Sequence, residues 1–89
     1  MEIKVEHQPS LAHLHQLDVF NWPIWEKEIS KFPWTYDDQE ICYFLAGHVI
    51  VTHEGQAVQI GKGDLVTFPA GMSCVWEIIS DVKKHYRFD

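Results

Sequence analysis

Residues 40–74 read EICYFLAGHVIVTHEGQAVQIGKGDLVTFPAGMSC. EICYFLAG (40–47) reads as one strand and HVIVT (48–52) as the next, and later runs are broken at Glu54-Gly55, at Lys62-Gly63-Asp64 and at Phe68-Pro69-Ala70-Gly71. The stretch therefore reads as strands joined by tight turns. The last break has Pro second and Gly fourth, the arrangement a type I turn favours. Side chains alternate along a strand, so Glu40, Cys42 and Phe44 share one face while Ile41, Tyr43 and Leu45 share the other,. A carboxylate on an otherwise apolar inner face needs a hydrogen-bond partner or a cation, because an unpaired buried charge is costly and would neutralise itself.

Working outward, residues 2–7 (EIKVEH) suit an edge strand, and an exposed edge of this kind can pair with a second copy of the chain, giving a homodimer through the N-terminal strand,. Ser10 can cap a short helical segment in which Leu11, Leu14 and Leu17 recur at a spacing of three, which predicts one or two helical turns,. WPIWEKEI (22–29), FPWTY (32–36), SCVWEII (73–79) and KKHYRF (83–88) read as further strands,. Roughly seven to nine short strands between Gly and Pro turns predict an all-β, antiparallel barrel or sandwich. Its 89 residues are expected to form a single domain, 1–89, with 46% apolar and 22% charged residues, far from the composition of a disordered chain,.

The net charge is −6 with histidines neutral, and apart from Lys83, Lys84 and Arg87 the basic residues are scattered. Nothing there can track a phosphate backbone, so nucleic acid is not an expected partner. Apolar runs fall short of the roughly 20 residues that span a bilayer, and the acidic start MEIKVEHQ lacks the regions of a secretory signal, so a cytoplasmic protein with no membrane partner is expected,. In that compartment Cys42 and Cys74 are expected to be reduced thiols,.

The histidines give no obvious ligand set. His13 and His15, two apart on a helical segment, point about 200° from one another,. His48 and His53, five apart on a strand, face opposite ways,. His85, between Lys84 and Tyr86, can serve as an acid or base if the last strand lines a cavity mouth, and is otherwise a solvated edge residue,. Aromatics are concentrated between Phe20 and Tyr36, where Phe20, Trp22, Trp25, Phe32, Trp34 and Tyr36 fall. Most of them suit the core of a small barrel, whereas Trp34, Tyr36 and Trp76 can also wall a pocket for a flat or cationic molecule.

Glu40, six residues and Gly47, followed by Gly63, five residues, Pro69, one residue and Gly71, resemble the two motifs of the cupin family. The stretches 22–34, 40–52, 62–78 and 83–86 further resemble the short single-domain cupins related to the barrel of ureidoglycine aminohydrolase. This resemblance implies a small antiparallel double-stranded β-helix, the cupin jelly roll. In metal-binding cupins two histidines precede the glutamate by three or four residues and a third follows the second motif's glycine by three. Here those positions hold Trp34 and Tyr36, or Pro33 and Thr35, and then Cys74. The resemblance places Cys74 where a ligating histidine stands, in phase with Trp76 and Ile78 on the inner face.

Three functional readings follow. The first is a cupin that binds a small organic molecule in the barrel interior with no histidine-held metal and no cofactor, the pocket lined by Trp34, Tyr36, Glu40, Cys42, Cys74, Trp76 and His85. The second is an enzyme of the ureidoglycine aminohydrolase type acting on a small nitrogenous metabolite, with Zn, Mn, Fe or Ni held by Glu40, Cys74 and Tyr36. The third is a dimeric interaction module with a merely packed core. The missing histidines favour the first.

Overall fold

The computed structural model describes residues 1–89, in which seven strands follow in order: β1 (Lys4–His7), β2 (Ile24–Lys27), β3 (Ser30–Thr35), β4 (Glu40–His53), β5 (Gln56–Gly61), β6 (Asp64–Phe68) and β7 (Ser73–Phe88). A helix α1 (Leu11–Gln16) and a 3-10 turn (Val19–Asn21) lie between β1 and β2. All pairings are antiparallel. The path β1-β6-β4-β7-β2 leaves β1 and β2 at its two ends, while β5 pairs β4 and β3 pairs β7.

Two long strands organise this all-β jelly roll. The first half of β4 pairs with β6, its second half with β5, and β7 runs alongside both halves. The second half of β7 pairs in turn with β2 and its first half with β3. Each long strand therefore changes neighbours halfway along, and the two bend together where the β4–β7 register shifts between Phe44 and Val49,. Gly47 sits in that bend at φ +103°, with Asp81 O only 2.6 Å and Val82 Cα 2.8 Å from where a Cβ would lie. Only glycine allows both that backbone conformation and that approach. The bulge also reverses the phase of β4: Glu40, Cys42 and Phe44 are buried before it, Val49 and Val51 after it.

The strands expected at 40–47 and from 48 are one strand, β4, bent at Gly47, and β7 likewise replaces the two expected at 73–79 and 83–88. The inward phase of Cys74, Trp76 and Ile78 continues through Val82 and Lys84. Elsewhere the local chemistry follows the turn residues. Glu54 and Gly55, at φ 48° and 77°, form the two-residue hairpin between β4 and β5, the positive-φ pair that a type I′ turn requires,. Asp64 Oδ2 accepts from the Gly61 N–H at 2.8 Å and closes the next turn. Ser10 Oγ accepts from the His13 N–H at 3.1 Å, capping α1,.

Two apolar clusters result. The main one fills the barrel with Phe44, Val49, Val51, Ile60, Val66, Phe68, Met72 and Ile78 among its members. The second, Leu14, Val19, Trp22 and Leu65, packs with Ile41 and Tyr43 from the outer face of β4, so the N-terminal segment covers one sheet from outside. No helix is long and apolar enough to cross a membrane.

Candidate functional site: an aromatic cavity around a buried ion pair

Lys84 occupies an inward position on β7 with Phe44 of β4 opposite it on one side and Trp25 of β2 opposite it on the other. That placement sets the ammonium among ring faces: Nζ lies 4.5 Å from the Trp76 ring centroid, 4.9 Å from Trp25 and 5.8 Å from Phe44. Desolvated cation–π contacts of this kind are worth roughly 2 kcal/mol. Glu40 lies on the same face of β4 as Phe44, and its Oε2 accepts from Lys84 Nζ at 2.9 Å, with both side chains only 5% exposed. The buried carboxylate thus has the cation that its position on an apolar face demands.

A pocket of about 210 Å³ opens over this pair, lined by Trp25, Phe32, Trp34, Tyr36, Glu40, Trp76, Lys84, Tyr86 and Phe88. Ring packing holds its walls. Phe32 stacks on Trp76 at 6.2 Å between centroids, Trp25 meets Trp76 edge-on at 6.1 Å, and Tyr36 stacks on Phe68 at 5.0 Å. Trp34 and Phe88, each 48% exposed, stand at the mouth. The Trp76 Nε1–H is buried with no oxygen or nitrogen partner, the Cys74 thiol beside it being a weak acceptor,.

The structure brings together Trp34, Tyr36, Glu40 and Trp76 of the residues singled out in the sequence, and adds Trp25, Phe32, Lys84, Tyr86 and Phe88. Three others lie off the pocket. Cys42 is wholly buried in the main core. Cys74 shares the inner face but sits behind the wall, its thiol donating to the Trp34 carbonyl oxygen at 3.6 Å. His85 falls on the opposite face of β7 from Lys84, because adjacent strand residues alternate. There it is buried: Nδ1–H donates to the Trp22 carbonyl oxygen at 2.9 Å, and Phe20 of the N-terminal cover meets the ring edge-on at 5.8 Å.

Titration of the inner-face groups follows burial. Desolvation pushes the Cys42 thiol up to about 12, the Glu40 charge adding to the rise and Lys84 opposing it. Burial also raises Cys74, the Trp76 indole acting the other way. Burial raises the Tyr36 phenol far above its ordinary value, and the nearby Glu40 carboxylate reinforces this. Both thiols are free and, as neutral buried groups, are poor nucleophiles,.

No three His, Cys, Asp or Glu side chains come close enough together to hold a metal ion. Instead of facing an open coordination position, the Glu40 carboxylate faces an ammonium.

Known proteins share the sequence and fold of this chain. A DUF861 family protein from Thermotoga maritima is 50% identical, covers 99% of this chain and 100% of its own, and superimposes with a TM-score of 0.95. An ethanolamine utilization protein Q from Salmonella typhimurium is 29% identical with a TM-score of 0.68, covering 73% of this chain and 53% of its own. The acetate kinase EutQ of Escherichia coli is 39% identical over 62 residues, which is 70% of this chain but 26% of that protein's length. Residues 14–86 match the model of the EutQ-like cupin domain, and the chain belongs to that family.

Proposed function

We propose that this cupin binds a small, flat organic molecule in the barrel interior without a metal. The observation that carries the reading is the aromatic pocket itself, whose cation seat is filled by the protein's own Lys84. At about 210 Å³ it falls below the ~300 Å³ at which drug-sized pockets begin, so it suits one ring rather than two,. A second cation would compete with Lys84 for the same ring faces and the same carboxylate. Neutral, acceptor-bearing molecules are favoured instead, since the lining offers the Lys84 ammonium and tyrosine hydroxyls as donors,.

The metal-enzyme reading is weaker on its donor set. Glu40 is neutralised by Lys84, Cys74 bonds a backbone carbonyl, and the Tyr36 phenol is held protonated, so these residues do not fit a divalent cation,. Kinase chemistry, named for a relative of which this chain spans 26%, finds only one cation in the lining, and that cation is paired.

The test is a 15N-labelled sample titrated with one-ring aromatics, benzyl alcohol among them, while the four tryptophan indole N–H signals are followed. Trp25, Trp34 and Trp76 line the pocket and are expected to shift, whereas Trp22 belongs to the outer cluster and serves as the internal control. Equal shifts at all four, or none, would overturn the reading.

A further inference from the structure

Lys84 combines three properties that binding alone does not use. It lines a cavity, its side chain is almost wholly removed from solvent, and a carboxylate oxygen lies 2.9 Å from Nζ. Lysine in an apolar pocket is the standard protein nucleophile toward carbonyl carbon, provided its proton has somewhere to go. Resting on the binding reading above, we propose that Lys84 condenses reversibly with a small aryl aldehyde held in the aromatic pocket, forming an imine.

The step balances on the residues present plus the aldehyde. One Nζ proton passes to Glu40 Oε2, exchanging two buried ions for a neutral acid and amine and removing part of their desolvation penalty,. The freed nitrogen lone pair attacks the carbonyl carbon, forming the N–C bond while the C=O π pair moves to oxygen. A proton shifts from that nitrogen to the oxygen, giving a neutral carbinolamine. Glu40 then returns its proton to the hydroxyl, the C–O bond breaks, water leaves, and the nitrogen lone pair completes C=N. Ammonium, carboxylate and aldehyde have become protonated imine, carboxylate and water, with no change of oxidation state.

The product is stabilised where the ammonium was. Its positive nitrogen remains beside Glu40 and among the faces of Trp76, Trp25 and Phe44, which lie 4.5–5.8 Å from Nζ,. Conjugation with an aryl ring keeps the adduct flat against Phe32 and Trp34, and apolar walls disfavour the water that would hydrolyse it. Lys83, next in the chain, is the built-in comparison: its side chain is 47% exposed and meets only Glu26, at 3.9 Å.

The experiment treats the whole chain with benzaldehyde and sodium cyanoborohydride and maps benzylated lysines by peptide mass spectrometry. A parallel titration follows the indole N–H signals with benzaldehyde and with benzyl alcohol. The expected result is roughly tenfold or more preference for Lys84 over Lys83. Lys84→Arg keeps the charge and the partner to Glu40 but cannot form the imine, so it is expected to retain the indole shifts and lose the preferred adduct. Indole shifts with both ligands but equal labelling of Lys83 and Lys84 would overturn the imine and leave the binding reading intact. No shift with either ligand and no preferred adduct would overturn both.

Discussion

Replacing Lys84 by Met is the most direct probe of the energetics at the centre of this barrel. The substitution keeps the length of the apolar stem but removes the only cation at Glu40, stranding a carboxylate that is 5% exposed among aromatic rings. Breaking one side of a buried ion pair typically costs about 3–5 kcal/mol. At ~0.05–0.15 kcal/mol per residue, a chain of 89 residues has a total stability of about 4–13 kcal/mol,. Lys84→Met should therefore remove a large fraction of the total and, at ~4–8 °C per kcal/mol, lower Tm by roughly 12 °C or more. Glu40→Leu strands the ammonium instead and should also be severe. The double variant Glu40→Leu/Lys84→Met exchanges the pair for apolar groups of similar size and should be markedly less destabilised than the sum of the two, and less than Lys84→Met alone. Urea denaturation followed by circular dichroism at neutral pH measures all four corners of the cycle. A Lys84→Met loss below about 1 kcal/mol, or a coupling energy below ~0.5 kcal/mol, is what an exposed pair would give and would refute the buried-pair argument.

Three further outcomes follow from the same structure. Gly47→Ala puts a Cβ within 2.6 Å of the Asp81 carbonyl oxygen at a positive φ and should cost more than about 2 kcal/mol, whereas Gly55→Ala, with nothing within 4 Å, should cost only about 1 kcal/mol, both read from urea midpoints,. Trp34→Ala at the half-exposed mouth should change stability by under about 1.5 kcal/mol yet abolish ligand-induced shifts of the remaining pocket indoles, since the wall it removes touches ligand more than core,. The Cys42 thiol is raised from about 9 to about 12, so between those values the folded chain keeps a proton that the unfolded chain has lost. Its contribution is complete below pH 9 and is lost as pH rises through that window, at roughly 1.4 kcal/mol per pH unit. Wild type should therefore lose stability more steeply with alkali than Cys42→Ala, and an equal slope in urea titrations at stepped pH would remove the thiol from the account.

How much of this was legible in the sequence depends on how far a period of two survives along a strand. Glu40, Cys42 and Phe44 on one inner face, and Cys74, Trp76 and Ile78 on another, were readable because each set lies within an unbroken stretch. The turn at Glu54-Gly55 and the cap at Ser10 were readable because those residues do locally what the chain requires there. The heart of the site was not read, although its signal was present. Counting on by two from Trp76 through Ile78 and the bend reaches Val82 and then Lys84, but ending the strand at residue 79 discards that phase. The same break left His85 as a candidate pocket residue, when one step of alternation sends it outward beneath Phe20. The phase of β4 is harder, since the bulge around Gly47 reverses it and only the pairing with β7 reveals where. Motif comparison pointed to Glu40 and asked which ligand partners were missing. The physical requirement is more general: a buried carboxylate needs a positive charge, and here a lysine 44 positions along the chain supplies it, already seated among the rings that would otherwise receive a cationic ligand,.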